Sequence, residues 1–348
     1  MSIEKLSAWL KQWLVFLILG LLTACTPTVQ QRQVVIYTSV DQVYAEPILQ
    51  RYEEMTGVRV LAVYDVEATK TTGLVNRLLA EVNNPQADVF WNGEIVQTLL
   101  LKEQGILAAY ESPEAQITPS IYKDPAGYWT GFGGRARVFI INTDRLAPGD
   151  YPLSIFDLIT PDRTADVGVA NPLFGTTATH AAALYAAVGA EQGRSFFEQL
   201  QTSAAQIVDG NSVVRDLVAN GQLDYGLTDT DDACGAIQRG QPVAIVFPDQ
   251  DPGDLGTLLI PNTVALVAGA PNPEEGRVLI DYLLSYAVEV ELLQSGWFSL
   301  SLRPDINFAE INAPCLLETQ VQGMQVRFED IYRYLNQSKN ELTEIFVR

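Results

Sequence analysis

A repeated switch of hydrophobic period, from strand-like to helix-like and back, constrains the fold of this chain more than anything else in it. Val34-Val35-Ile36-Tyr37 reads as a buried strand, and Tyr44, Ile48, Tyr52 and Met55 then recur at helical spacing up to a stop at Gly57. Val58, Val60, Ala62 and Tyr64 alternate as a second strand, Leu74, Leu78 and Val82 mark a second helix, and Ala87 to Trp91 make a third strand. This βαβαβ rhythm calls for a parallel sheet with helices on both faces.

After the strand Val138-Phe139-Ile140-Ile141, a second α/β section starts near residue 150. Val167 to Ala170 and Leu223 to Thr228 read as strands, Ala178 to Val188 as a helix, and Ser212 to Ala219 as a helix between a serine cap and Gly221. A further apolar strand spans Leu258 to Val267, and Asn272-Pro273-Glu274-Glu275 is an N-cap with proline at the first helical position. The 348 residues allow two domains. Two α/β lobes joined by two or three crossing strands place a cleft where strand C-termini and helix N-termini converge.

Charge narrows the class of partner. With 22 Lys+Arg against 42 Asp+Glu, the formal net charge is -20, which repels nucleic-acid phosphates and attracts cations or basic surfaces. A single histidine excludes His-rich zinc sites and HExxH proteases. Ser/His/Asp catalysis has only His180 to draw on. The glycines of GFGGRA lead into the strand VFII rather than a helix, so they do not form a dinucleotide loop. The loop from Asp249 has Ile260 where a calcium loop needs glutamate.

At the N-terminus, Lys5 and Lys11 precede the apolar run Trp13 to Leu22, which is too short to span a bilayer comfortably and has the layout of a secretory signal. Leu22-Thr23-Ala24-Cys25 has the pattern of a lipobox, in which the chain is cut before a cysteine that becomes diacylated; simple cleavage beside an incidental cysteine is the alternative. Residues 1–24 are then a lipoprotein signal peptide, Cys25 the lipidation site, and 25–33 the anchor and polar linker. The mature protein is expected on the periplasmic face of a bacterial membrane. An oxidising space permits a Cys234–Cys315 disulfide, a pairing the sequence leaves open.

Six stretches carry a family resemblance: VVIYTSVDQ (34–42), ADVFWNGEIVQTLLLKEQGIL (87–107), WTGFGGRARVFIIN (129–142), ANPLFGTTATHAAAL (170–184), GQLDYGLTDTDDA (221–233) and LGTLLIPNTVALVAGAPNPEEGRVLIDYLLS (255–285). In this order they resemble the bacterial extracellular solute-binding proteins of ATP-binding-cassette (ABC) importers, in the branch of the periplasmic ferric-ion-binding proteins. The resemblance implies an α/β, type II-like periplasmic-binding-protein fold with a ligand cleft between two lobes. Residues 34–140 and 258–348 would form lobe 1 with the C-terminal helices, and 141–257 would form lobe 2. It further implies a monomeric receptor with no catalysis, which hands a small ligand to an ABC permease with its ATPase. A carboxylate-dependent hydrolase and a sensory receptor are the alternatives from other classes.

By position in that family, Asp41 takes the place of a ligand histidine, Glu94 lies near a carboxylate from a strand–helix turn, and Asp231-Asp232 take the place of adjacent tyrosines. The implied metal set is Asp41, Glu94, Asp231 and Asp232, all carboxylate oxygens suited to a hard cation or an ammonium group. Gly175, Thr176 and Thr177 open an Ala-rich helix whose amides, hydroxyls and dipole suit an anion. Ser39, Trp91 and Arg135 complete the expected lining, with Trp129 a second aromatic candidate and core packing the default reading for both tryptophans. Arg135 and Arg137 are expected on opposite faces of the crossing strand, only Arg135 facing the cleft, and His180 is expected as a helix-face residue. Two ligand classes follow: ferric iron, or an iron–anion complex, and a phosphorylated or phosphonate-bearing organic molecule.

Overall fold

The computed structural model describes residues 31–65, 73–160, 166–312 and 321–347. The expected signal peptide, Cys25 and Cys315 lie outside the described residues; Cys234 is disulfide-bonded. No helix among the described residues is long and apolar enough to cross a membrane.

The first rhythm is realised as β1 (Gln33–Thr38), α1 (Gln42–Thr56), β2 (Arg59–Tyr64), α2 (Gly73–Ala80) and β3 (Val89–Asn92), with β1 parallel to both β2 and β3. Gly57 ends α1 at φ +67, where only glycine is unstrained, and donates its N–H to the Glu53 carbonyl. Ala45, Ile48, Leu49 and Tyr52 face the core, whereas Met55, expected on the same stripe, is 69% exposed in the last turn before the chain reverses. The chain continues through α3 (Ile95–Glu103), β4 (Leu107–Ala108) and β5 (Thr130–Asn142). The second section holds β6 (Val167–Ala170), α4 (Gly175–Val188), α5 (Ala190–Thr202), β7 (Gln206–Val208), α6 (Asn211–Ala219), β8 (Tyr225–Asp229), α7 (Thr230–Gln238) and β9 (Val243–Val246). The return path is β10 (Leu259–Val267), α8 (Pro273–Leu283), α9 (Tyr286–Ser295) and α10 (Phe328–Phe346).

The strands follow the order β2-β1-β3-β10-β5-β8-β6-β7, with β4 beside β10 and β9 beside β5. One long strand joins the two halves. Thr130 to Ala136 of β5 pair antiparallel with β10, and Arg137 to Ile141 pair antiparallel with β8. The change of partner therefore falls inside β5 at Ala136–Arg137. Just before it the β5–β10 register shifts at a bulge. Gly133 sits there at φ +46, and a Cβ would lie 2.0 Å from the Phe298 ring.

Burial follows the layers. One core packs α1, α8 and α9 on the face of the first sheet that carries Val34, Ile36 and Trp91. On the second sheet, Val138 and Ile140 of β5 meet Val214 and Val218 of α6 and Ala233 and Ala236 of α7. The remaining core runs continuously from Tyr37 and Phe90 to Phe139, Ile141 and α4. Its bridge is α10. Phe328, Ile331, Leu342 and Ile345 share that core with Tyr185, Phe196 and Phe197. In addition, Tyr185 Oη donates to Glu341 at 2.9 Å and Arg194 pairs with Glu344 at 3.3 Å. Trp129 belongs to the same core, edge-on to Phe328 at 6.2 Å, so it does not line a cleft.

Candidate functional site

The C-terminal ends of β1 and β3 are tied by a buried polar chain. Ser39 Oγ donates to Asn92 Oδ1 at 2.6 Å and accepts from the Gly93 N–H at 2.9 Å, while Asn92 Nδ2 donates to the Glu94 carbonyl and to Thr98 Oγ1. Thr98 and Thr263 hydroxyls meet at 2.7 Å, which extends the chain to β10. A satisfied buried network of this kind holds the strand ends in one geometry. Glu94 caps α3: its Oε2 accepts from the Val96 and Gln97 N–H groups, and its Oε1 accepts from Thr179 Oγ1 on α4 at 3.0 Å. Burial raises its pKa, opposed by those donors and by Arg135.

Opposite stands the β8–α7 junction. Asp229 ends β8, and Asp231 and Asp232 fall in the first turn of α7, where the helix dipole favours negative charge. Oxygens of the three carboxylates lie within 4.8 Å of one another. Three arginines converge on them. Arg137, fully buried, donates to Asp229 Oδ1 at 2.7 Å, Arg135 Nη1 lies 3.6 Å from Asp231, and Arg215 Nη1 donates to Asp232 at 2.9 Å. Arg135 Nη2 also donates to the Gly93 carbonyl at 3.1 Å, linking this cluster to the β3–α3 turn.

The carboxylates respond unequally. Burial pushes Asp229 up, but Arg137 and Arg135 outweigh it and hold its pKa below the ordinary value. Burial raises Asp231, with Asp229 adding to the rise and Arg135 only partly offsetting it; its Oδ1 is buried without a hydrogen-bond partner among the described residues. Asp232 rises to about 7 through burial and the two neighbouring carboxylates, against the pull of Arg215.

Several expectations are corrected by this geometry. Arg135 and Arg137 do not point to opposite faces: side chains two positions apart on a strand return to the same side, and both guanidinium groups approach Asp229. Trp91 is fully buried against Phe132 at 5.8 Å between ring centres, because its position on β3 faces α8 and α9. Of the expected metal set, only Asp231 and Asp232 converge, joined by Asp229, which had not been singled out. Glu94 is spent on the α3 cap, and Asp41 starts α1 with no side-chain cap bond. The Thr176 and Thr177 hydroxyls are engaged by Arg137, and Thr176 also donates to Asp229 at 2.7 Å. What α4 leaves for an anion is backbone, since its N-cap Phe174 offers no acceptor side chain and Gly175 adopts φ +55. Asn211 was also missed; its Nδ2 donates to Thr176 at 2.8 Å and to Asp229 at 3.0 Å. His180 is buried on α4, and burial together with Arg137 lowers its pKa to about 3, so it is neutral at neutral pH.

Carboxylates, arginines and an open helix N-terminus meet between the two sheets, and similarity to known proteins decides the family. Residues 37–290 match the family described as bacterial extracellular solute-binding protein. The chain belongs to this family. Among relatives of this solute-binding protein, iron uptake protein A1 of Synechocystis is 25% identical over 281 residues, covering 77% of this chain and 75% of the relative. A putative 2-aminoethylphosphonate-binding periplasmic protein of Salmonella typhimurium is 25% identical over 272 residues, covering 74% and 75%. The solved structure of a Trichodesmium protein in complex with iron and citrate superposes with a TM-score of 0.79 at 18% identity, covering 91% of this chain and all of that one. At that identity the likeness establishes the two-lobe fold.

Proposed function

We propose that this solute-binding protein is a lipid-anchored receptor of an ABC importer, and that its solute presents a hard cation, ferric iron with a small accompanying anion. The observation that carries this reading is the convergence of Asp229, Asp231 and Asp232 within 4.8 Å. Asp231 and Asp232 are held above the ordinary carboxylate range there. Carboxylates crowded in this way take up protons, and a cation that displaces those protons and Arg135 relieves the same repulsion. The anion would sit at the N-terminus of α4, on backbone N–H groups and the positive end of the dipole. Cleavage after residue 24 and diacylation of Cys25 would hold the monomer at the periplasmic face of the membrane, where a permease with its ATPase takes the solute.

One observation favours a second reading. The cluster already accommodates a nitrogen cation, the Arg135 guanidinium, 3.6 Å from Asp231. An ammonium group could take that place while a phosphonate meets α4, and one relative is named for 2-aminoethylphosphonate. Calorimetry on chelator-treated protein separates the two. Saturable binding of ferric citrate, with no binding of 2-aminoethylphosphonate or sugar phosphates, supports iron; metal-independent saturation by an organic phosphonate overturns it. The iron complex should lack a visible phenolate-to-iron band, because the groups that converge are carboxylates. Cys25→Ser should abolish metabolic lipid labelling.

A further inference from the structure

Remote from the carboxylate cluster, a groove of about 470 Å³ runs along the outer edge of the first sheet. Its floor is the Val60, Ala62 and Tyr64 face of β2, and its wall is α1, which contributes Glu46, Glu53 and Glu54. Among the described residues β2 pairs on one side only, with β1. The phase of its free side can be read directly. Asp65 donates its N–H to Thr38 at 3.0 Å, toward β1, whereas Val60 donates its N–H to Glu53 Oε2 at 2.8 Å, away from it. Alternation along the strand therefore turns the Ala62 N–H to the same open side as Val60.

We propose that this edge docks an extended basic segment of a partner protein, which adds a strand beside β2 and sets alternate Lys or Arg side chains against Glu46 and Glu54. An open sheet edge supplies main-chain affinity and the glutamate wall supplies the selection. Charge decides the occupant. A second copy of this chain would bring another -20 to an already acidic wall, whereas a basic strand is drawn in and held in register. Glu53, through its bond to Val60, covers only one donor of the edge and leaves Ala62 for the incoming strand.

The test uses the full chain and a labelled octapeptide of alternating Val and Lys, followed by fluorescence anisotropy. Its control is the same peptide N-methylated at alternate residues, which keeps the charge and cannot pair with β2. The unmethylated peptide should bind, and methylation, Ala62→Pro, or Glu46→Gln with Glu54→Gln should each weaken it roughly tenfold or more. Ala62→Pro removes an outward N–H and leaves the β1 ladder intact; should that variant not fold, the methylated peptide and the glutamine pair still decide. The proposal is overturned if both peptides bind alike, if the variants keep wild-type affinity, or if the peptide does not bind. It is equally overturned if sedimentation shows a dimer that Ala62→Pro dissolves, since the occupant would then be a second copy.

Discussion

Asp229 and the pair Asp231–Asp232 lie within one turn of each other and meet burial in opposite ways. Asp229 accepts from Arg137, Thr176 and Asn211, and its charge is held. The pair receives one guanidinium each, Arg135 and Arg215, and sits above the carboxylate range. The difference separates scaffold from site. Asp229 with Arg137 joins β5, β8, α4 and α6, while the pair keeps an electrostatic deficit that a bound proton or an added cation relieves.

The comparison breaks most visibly at Arg137. Arg137→Met leaves Asp229 buried against Thr176 and Asn211 without its main counter-charge, and should cost on the order of 3–5 kcal/mol in urea unfolding. A loss below about 1 kcal/mol would show that Asp229 is not held by Arg137. Next, Asp231→Asn with Asp232→Asn should lower affinity for ferric citrate about a hundredfold or more, close to 3 kcal/mol, while leaving urea stability at neutral pH unchanged or raised. Calorimetry and unfolding on the same sample measure both.

A gentler probe is pH. Asp232 rises from 3.8 to about 7 on folding, so between these values the folded state binds more protons than the unfolded one. The stability of the wild type relative to Asp232→Asn should therefore fall as pH rises from about 4 to about 7, and level off above. Cation affinity should move the other way and strengthen through the same window, because the proton must leave first. A flat difference across this range would place Asp232 with Asp229 on the satisfied side. The smallest effect belongs to the link between the two halves. Thr179→Val removes a donor from buried Glu94, at a cost of about 1–2 kcal/mol. Thr179→Ser should recover most of it.

Most of the local architecture was legible because apolar period and turn residues are short-range signals. The strand at Val34 to Tyr37, the stop at Gly57 and the proline opening the helix at Pro273 all stand where their patterns put them. The short strands β7 and β9 escaped notice, being three and four residues without a clear alternation. Asp229 had a usable signal, since it ends an apolar strand two residues before Asp231, yet the conspicuous Asp231-Asp232 doublet drew the assignment instead. A tryptophan near a strand end looks the same whether its face meets a cleft or a core, so the burial of Trp91 and Trp129 was decided only by the layers they pack into.

By itself the sequence determined the family, the α/β rhythm, the acidic surface and the presence of carboxylates at the β8–α7 turn, all of which live in composition and local order. Which charge each carboxylate meets was decided only in three dimensions. The β5–β8 register sets Arg137 opposite Asp229, and the path of β5 through both sheets brings Arg135 to Gly93 and Asp231 together. The C-terminal helix bridges to the second set of helices through Tyr334 against Tyr185 and Phe346 against Phe197. Pairings between residues tens to hundreds of positions apart depend on register and layer packing, and no local pattern encodes them.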